Sequence, residues 1–184
     1  AYGNALFNVG HQAFEVGGGF SNVVEHNLIV DCGVPLEYDD RNRDGVINKG
    51  WCHQSVDTRS ARQWGPIDAF PIRSELWASR YPVLAQIRED VENKDAWDDP
   101  HLPINPAFSS MSNNAILRRE DSKNGIAESV YRFSRVENNV EFPLTENPGF
   151  VNPGDGDYRL LPGARLREFI PDFPDIPFDQ IGRY

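Results

Sequence analysis

The first forty residues contain one line of sequence written twice. Asn4-Ala-Leu-Phe-Asn-Val-Gly10-His-Gln-Ala-Phe-Glu15-Val lies over Asn27-Leu-Ile-Val-Asp-Cys-Gly33-Val-Pro-Leu-Glu-Tyr38-Asp at an offset of 23 residues. Asn stands over Asn, Gly over Gly, and the apolar positions between them keep their places. Self-similarity at such a period marks an array in which one repeat buries its apolar face only when the next stacks on it. The apolar runs are strand-length, β-branched or aromatic, and punctuated by Gly and Asn rather than helix caps. The pattern predicts an all-β, right-handed parallel β-helix.

The line returns as Asn114-Ala-Ile-Leu and again, 25 residues later, as Asn139-Val-Glu-Phe. Asn is a poor strand former, so four at one register need a reason. Stacked about 4.8 Å apart, identical amides bond one another and the turn backbone, as in an Asn ladder. Asn4, Asn27, Asn114 and Asn139 therefore read as structural.

The expected organisation is β-helix coils over 1–41, an insertion with short helices over 42–110, coils again over 111–145, and a Pro-rich cap over 146–184. The insertion region holds all four tryptophans, Trp51, Trp64, Trp77 and Trp97, and many prolines. Pro82 suits a first helical turn, with Leu84, Ile87 and Val91 at helical spacing. Ser74 suits an N-cap before Glu75-Leu-Trp77. Ile126–Phe133 alternates and reads as a continuing coil. The cap is expected over the last coil or along its side, because an open strand edge must be covered.

A net charge of −10 on 184 residues argues against nucleic acid, which requires a basic face, but leaves neutral or cationic sugars open. No apolar run approaches the length of a membrane span. Cys32 falls at an inward strand position, where free Cys behaves as a small hydrophobe. Two cysteines are not a disulfide framework, although a Cys32–Cys52 bridge is geometrically open.

Several segments resemble the late coils of bacterial right-handed parallel β-helix proteins. They are Tyr2-Gly-Asn4-Ala-Leu-Phe7-Asn-Val-Gly10 and Gly17-Gly-Gly-Phe20-Ser-Asn22-Val-Val-Glu25-His-Asn27-Leu-Ile-Val-Asp31-Cys. Asp39-Asp-Arg41, Gly50-Trp51 and Trp77-Ala-Ser-Arg80-Tyr-Pro82-Val-Leu84 are similar to the insertion of those proteins. Asn147-Pro-Gly-Phe150-Val, Asp157-Tyr-Arg159-Leu and Ile176-Pro-Phe178-Asp-Gln-Ile181-Gly182 are similar to their closing segment. Many such proteins are carbohydrate-active, including the glycoside hydrolases grouped with α-L-fucosidases and xylanases, and polysaccharide lyases. The resemblance implies a polysaccharide or oligosaccharide partner, an extracellular or periplasmic setting, and earlier coils upstream of Ala1 carrying further acidic residues.

Three sets of residues carry candidate chemistry. Glycoside hydrolysis uses two carboxylates at a fixed separation. Glu15, Glu37, Asp39 and Asp40 are the candidates, and His11 beside the Gly10 corner is a possible proton donor. Singly, each is also what a solvated turn of an acidic protein looks like, as are His26 and His53. Asp40-Arg-Asn42-Arg-Asp44-Gly45-Val-Ile47-Asn48 resembles the first part of a calcium loop, with oxygen ligands at alternate positions and Gly at the turn. Asp40, Asn42, Asp44 and Asn48 would be the ligands, but Trp51 occupies the twelfth position, where a bidentate carboxylate belongs. Finally, Trp51, Trp64, Arg59 and Arg62 could wall a sugar site, the indoles stacking on rings. At least two of the tryptophans fit better as glue between insertion and coils.

The reading at this level is the distal part of a carbohydrate-active enzyme using paired carboxylates. The alternative is a non-catalytic carbohydrate-binding or structural β-helix of the adhesin, stalk or tail-fibre type. The edge at Ala5–Val9 is expected to need upstream coils or a neighbouring chain, and the chain alone to have little hydrolase activity.

Overall fold

The computed structural model describes residues 1–17, 20–38, 71, 74–83, 85–86, 99, 101, 107–122 and 125–178. Eleven short strands are described: β1 Ala5–Phe7, β2 Gln12–Val16, β3 Val23–Glu25, β4 Leu28–Val30, β5 Val34–Tyr38, β6 Ser109–Ser112, β7 Ala115–Arg118, β8 Ser134–Arg135, β9 Val140–Pro143, β10 Phe150–Asn152 and β11 Asp157–Leu160. Helix α1 spans Glu75–Arg80, α2 Glu128–Phe133 and α3 Leu166–Phe169.

The strands form four small sheets, ordered β1-β4-β7-β9, β3-β6-β8, β2-β5 and β10-β11. The first three are parallel and the last is antiparallel. In the four-stranded sheet pairing follows the sequence repeat, with Leu6 beside Ile29 and Ile29 beside Ile116, whereas β2 and β5 pair one residue out of it, Gln12 beside Val34.

This architecture corrects the expectation of an all-β, right-handed parallel β-helix. The described residues form a mixed α/β structure of small sheets and helices in which no right-handed β-helix is identified. The clearest departure is Glu128–Phe133, read from its alternation as a strand. It is helical because Val130 and Phe133, three apart, both reach the interior from one helix face. Helix α2 then occupies the edge of β5: Ala127 N donates to Leu36 O at 3.0 Å, and Tyr38 N to Ser129 Oγ at 3.1 Å. The closing segment departs too, since β10 and β11 pair antiparallel around a 3-10 turn at Pro153–Asp155.

Two apolar clusters lie on opposite faces of the four-stranded sheet. Ile29 and Ile116 face an inner cluster with Val24, Leu36, Met111, Val130 and Phe133. Leu28, Val30, Ala115 and Leu117 face the other way, and Phe150, Leu166, Ile170, Phe173 and Ile176 cover them. The closing segment therefore lies along the side of this sheet. Gly149 makes that possible: its φ is +114°, and a Cβ there would sit 2.5 Å from the Ala164 Cβ. Asn147 Oδ1 accepts from Gly149 N and Phe150 N, fixing the turn.

At the start of each strand of this sheet, a left-handed residue precedes an Asn. Gly3, His26, Asn113 and Asn138 have φ between 53° and 67°, and Asn4, Asn27, Asn114 and Asn139 follow them. Asn4 Nδ2 donates to Asn27 Oδ1 at 2.9 Å, Asn27 Nδ2 to Asn114 Oδ1 at 2.9 Å, and Asn114 Nδ2 to Asn139 Oδ1 at 2.8 Å. The four amides form one ladder. In α1, Ser74 Oγ accepts from Trp77 N at 3.4 Å, and residues 82–83 and 85–86 are also helical.

Candidate functional site

The β2–β5 pair places two of the sequence candidates side by side. Phe14 pairs with Leu36 and turns inward, so the next register pair, Glu15 with Glu37, turns outward. Glu15 is exposed and Glu37 half-buried. His11 is exposed just before β2, and its carbonyl accepts from Val34 N at 3.0 Å. It lies four residues from Glu15, at the other end of the strand. Asp39 and Asp40 lie outside the described residues, as do Asn42, Asp44, Asn48, Trp51, Arg59, Arg62 and Trp64. Among the described residues no group of three or more His, Cys, Asp or Glu side chains is placed to hold a metal ion.

The corner between β1 and β2 stacks on that between β4 and β5, and the contact demands glycine. A Cβ on Gly33 would lie 2.8 Å from both Gly10 O and His11 O. Beside this corner opens a cleft of about 410 Å³, lined by Asn8, Asp31, Cys32, Arg119, Asp121 and Ser122 among others. Asn8 and Asp31 both have φ 52°. Arg119 Nη2 donates to Asp31 Oδ2 at 2.6 Å. That hydrogen bond, and the charge behind it, hold the Arg119 guanidinium above its ordinary pKa. Cys32 is a free, buried thiol. Burial pushes it above its ordinary value, while backbone hydrogen bonding at Val9 and Val30 pulls the other way.

A third cluster lies on β3 and β6. Glu25 Oε1 accepts from Ser110 Oγ at 2.9 Å and from Ser112 Oγ at 3.2 Å, and the two hydroxyls are 2.8 Å apart. Both serines are buried, so this network satisfies groups that would otherwise be costly there. His26 is also buried, its Nε2 3.2 Å from Asp172 Oδ1 at ion-pair distance but off the line of a hydrogen bond. Sequence reasoning missed Asp31, Arg119, Glu25 and Ser110. Their partners lie 85 to 88 residues away across the insertion, so no local spacing announces them.

No protein-family model matches the chain, and no curated protein or solved structure matches it either. The resemblance to carbohydrate-active β-helix families is corrected accordingly. No helix among the described residues is long and apolar enough to cross a membrane.

Proposed function

We propose that the chain is a carbohydrate-directed part of a glycoside hydrolase, with Glu15 and Glu37 as its paired carboxylates. The observation that carries this reading is their register. Two outward side chains on adjacent parallel strands start about 4.8 Å apart, and retaining hydrolysis uses carboxyl groups about 5–5.5 Å apart. An acidic surface suits a neutral polymer and disfavours nucleic acid. An extracellular or periplasmic setting, and a calcium ion held by Asp40, Asn42, Asp44 and Asn48, belong to the same proposal. So does completion of the site by further strands of the same protein or by a neighbouring chain. Excess chelator should lower the thermal midpoint if the calcium loop is real, and leave it unchanged if it is only a turn.

The second reading is a non-catalytic binding or structural array. What favours it is the investment of buried amide groups in the Asn ladder, which serves stacking rather than chemistry. One experiment separates the readings. A panel of plant and algal polysaccharides is screened for saturable binding and for turnover, with Glu15→Gln and Glu37→Gln alongside. Binding that both variants weaken, with turnover that retains the anomeric configuration and falls about 10²- to 10⁴-fold in each, is the expected result. Binding without turnover leaves the second reading, and turnover indifferent to both substitutions overturns the carboxylate pair.

A further inference from the structure

The ladder has a direction. Each Asn donates both its backbone N–H and its Nδ2 to the Oδ1 of the next: Asn4 to Asn27, Asn27 to Asn114, and Asn114 to Asn139. Each buried Oδ1 thus receives two hydrogen bonds from the preceding strand. Asn4 alone has no preceding strand, and its Oδ1 accepts nothing among the described residues. Next to it, Leu28 N donates to Asn4 O at 2.8 Å and Asn8 N to Val30 O at 3.0 Å. By the alternation of a parallel ladder, the N–H and C=O of Ala5 and Phe7 point the opposite way, off the sheet edge.

The two edges of this sheet are built differently. At the position where β4 and β7 carry the buried Ile29 and Ile116, β9 carries Glu141, followed two residues later by Pro143. A charge on the inward row and a proline without an N–H both blunt an edge. Glu141 is held there by Arg118 Nε at 2.6 Å. At the same position β1 carries Leu6, half-buried in the inner cluster with Val9, Phe14 and Val16. The β9 edge is a terminus, and the β1 edge is an unfinished interior.

From these observations we infer that the β1 edge is a docking site for one further parallel polypeptide strand, carrying a left-handed residue, then Asn, then an apolar residue two positions on. Its Asn donates N–H and Nδ2 to Asn4 Oδ1, its backbone pairs with Ala5 and Phe7, and its apolar residue covers Leu6. The occupant is a strand of this chain's own design. A second copy docking through its β9 edge does not fit, because Glu141 would be set against Leu6.

Tandem duplication of residues 4–26 tests this, since it places such a strand on the edge while leaving the rest of the chain intact. The amides of Ala5 and Phe7 in the inner copy should exchange at least about 100-fold more slowly than those in the outer copy, and the thermal midpoint should rise. Asn4→Leu in the inner copy should remove most of that gain. Equal exchange in both copies, or an undiminished gain with Asn4→Leu, overturns the inference. A dimer of the unmodified chain with Ala5 and Phe7 already protected also overturns it, because a second copy would then own the edge. Should the duplicated chain not fold, a peptide of residues 1–16 added in trans supplies the strand. Selective shifts of the Ala5 and Phe7 amides support docking, and none at millimolar peptide overturns it.

Discussion

The strands of the four-stranded sheet begin and end in corners of opposite character. Both corners use left-handed residues, at Gly3, His26, Asn113 and Asn138 on one side and at Asn8 and Asp31 on the other. At the beginning, the next residue is Asn every time, and Asn27 and Asn114 are completely buried. At the end the residues differ from strand to strand, and the corner opens into the cleft that holds the Asp31–Arg119 pair. A corner that repeats one side chain is satisfied by its own copies and excludes water. A corner that varies must find partners elsewhere, and leaves room for solvent or a ligand. The first is where stability is concentrated, and the second is where chemistry has space.

The sharpest test of that contrast is Asn114→Leu. Asn114 Oδ1 receives both Asn27 N and Asn27 Nδ2, and its own Nδ2 reaches Val24 O and Asn139 Oδ1. Leucine would strand the buried Asn27 N–H and take one hydrogen bond each from Asn27 Nδ2, Asn139 Oδ1 and Val24 O, at a cost of about 3 kcal/mol. Asn4→Leu removes the exposed end of the same ladder and should cost much less. Chemical denaturation of both variants checks the difference, and equal losses would mean that the ladder is not a cooperative buried unit.

Gly33→Ala comes next. Its Cβ would meet two backbone carbonyl oxygens at 2.8 Å, and neither can rotate away as a side chain would. The corner must open by several tenths of an ångström, with an expected loss of about 2 kcal/mol. Gly10→Ala, with nothing within 4 Å of its Cβ, is the matched control. A loss at both positions would place the demand in the turn conformation rather than in the stacking.

The repeating corner could be read from sequence because identical residues at an offset of 23 leave few alternatives to stacking in register. The amides sit where that offset puts them. The varying corner could not be read, because Asp31 meets Arg119 only after the chain has returned from the insertion. The helix at Glu128–Phe133 was misread for a related reason. Six residues satisfy both an alternating and a three-apart pattern, and the tie is broken by Leu36 and Tyr38, whose backbone groups take Ala127 and Ser129 as partners. The Glu15–Glu37 pair was legible only as two neighbours: an offset of 23 sets Glu15 over Tyr38, and the pairing of β2 with β5 slips by one residue to set it beside Glu37.

At the varying corner smaller effects are expected. Asp31→Val forces a β-branched residue into a left-handed conformation and should cost about 1–2 kcal/mol. Asp31→Asn keeps a residue that tolerates φ 52° and should be close to neutral. Arg119→Met removes an exposed partner and should move the thermal midpoint by less than about 2 °C. If Asp31→Asn instead costs as much as Asp31→Val, the ion pair holds this corner rather than the backbone geometry.

The smallest expected effect is a pH dependence that links the closing segment to the repeating corner. Arg159 donates from Nε and Nη2 to the two oxygens of Asp157 at 2.9 and 2.6 Å, holding that carboxyl below its ordinary value of 3.8. His26, beside the buried Asn27, stands with Nε2 3.2 Å from Asp172 Oδ1 and lowers that carboxyl too, as a close ion-pair partner. A carboxyl lowered in the folded state contributes stability that is complete above its unfolded value, and that contribution is lost as pH falls through the folded value. Both contributions are therefore intact at pH 6 and should fade below about pH 4. Thermal midpoints of the parent chain, Asp157→Asn and Asp172→Asn, measured from pH 6 down to pH 2, provide the check. Each variant should start below the parent and converge on it in acid. A gap that stays constant across that range would mean that neither carboxylate is held in its charged form by its partner. The closing segment would then rest on the sheet through its apolar contacts alone.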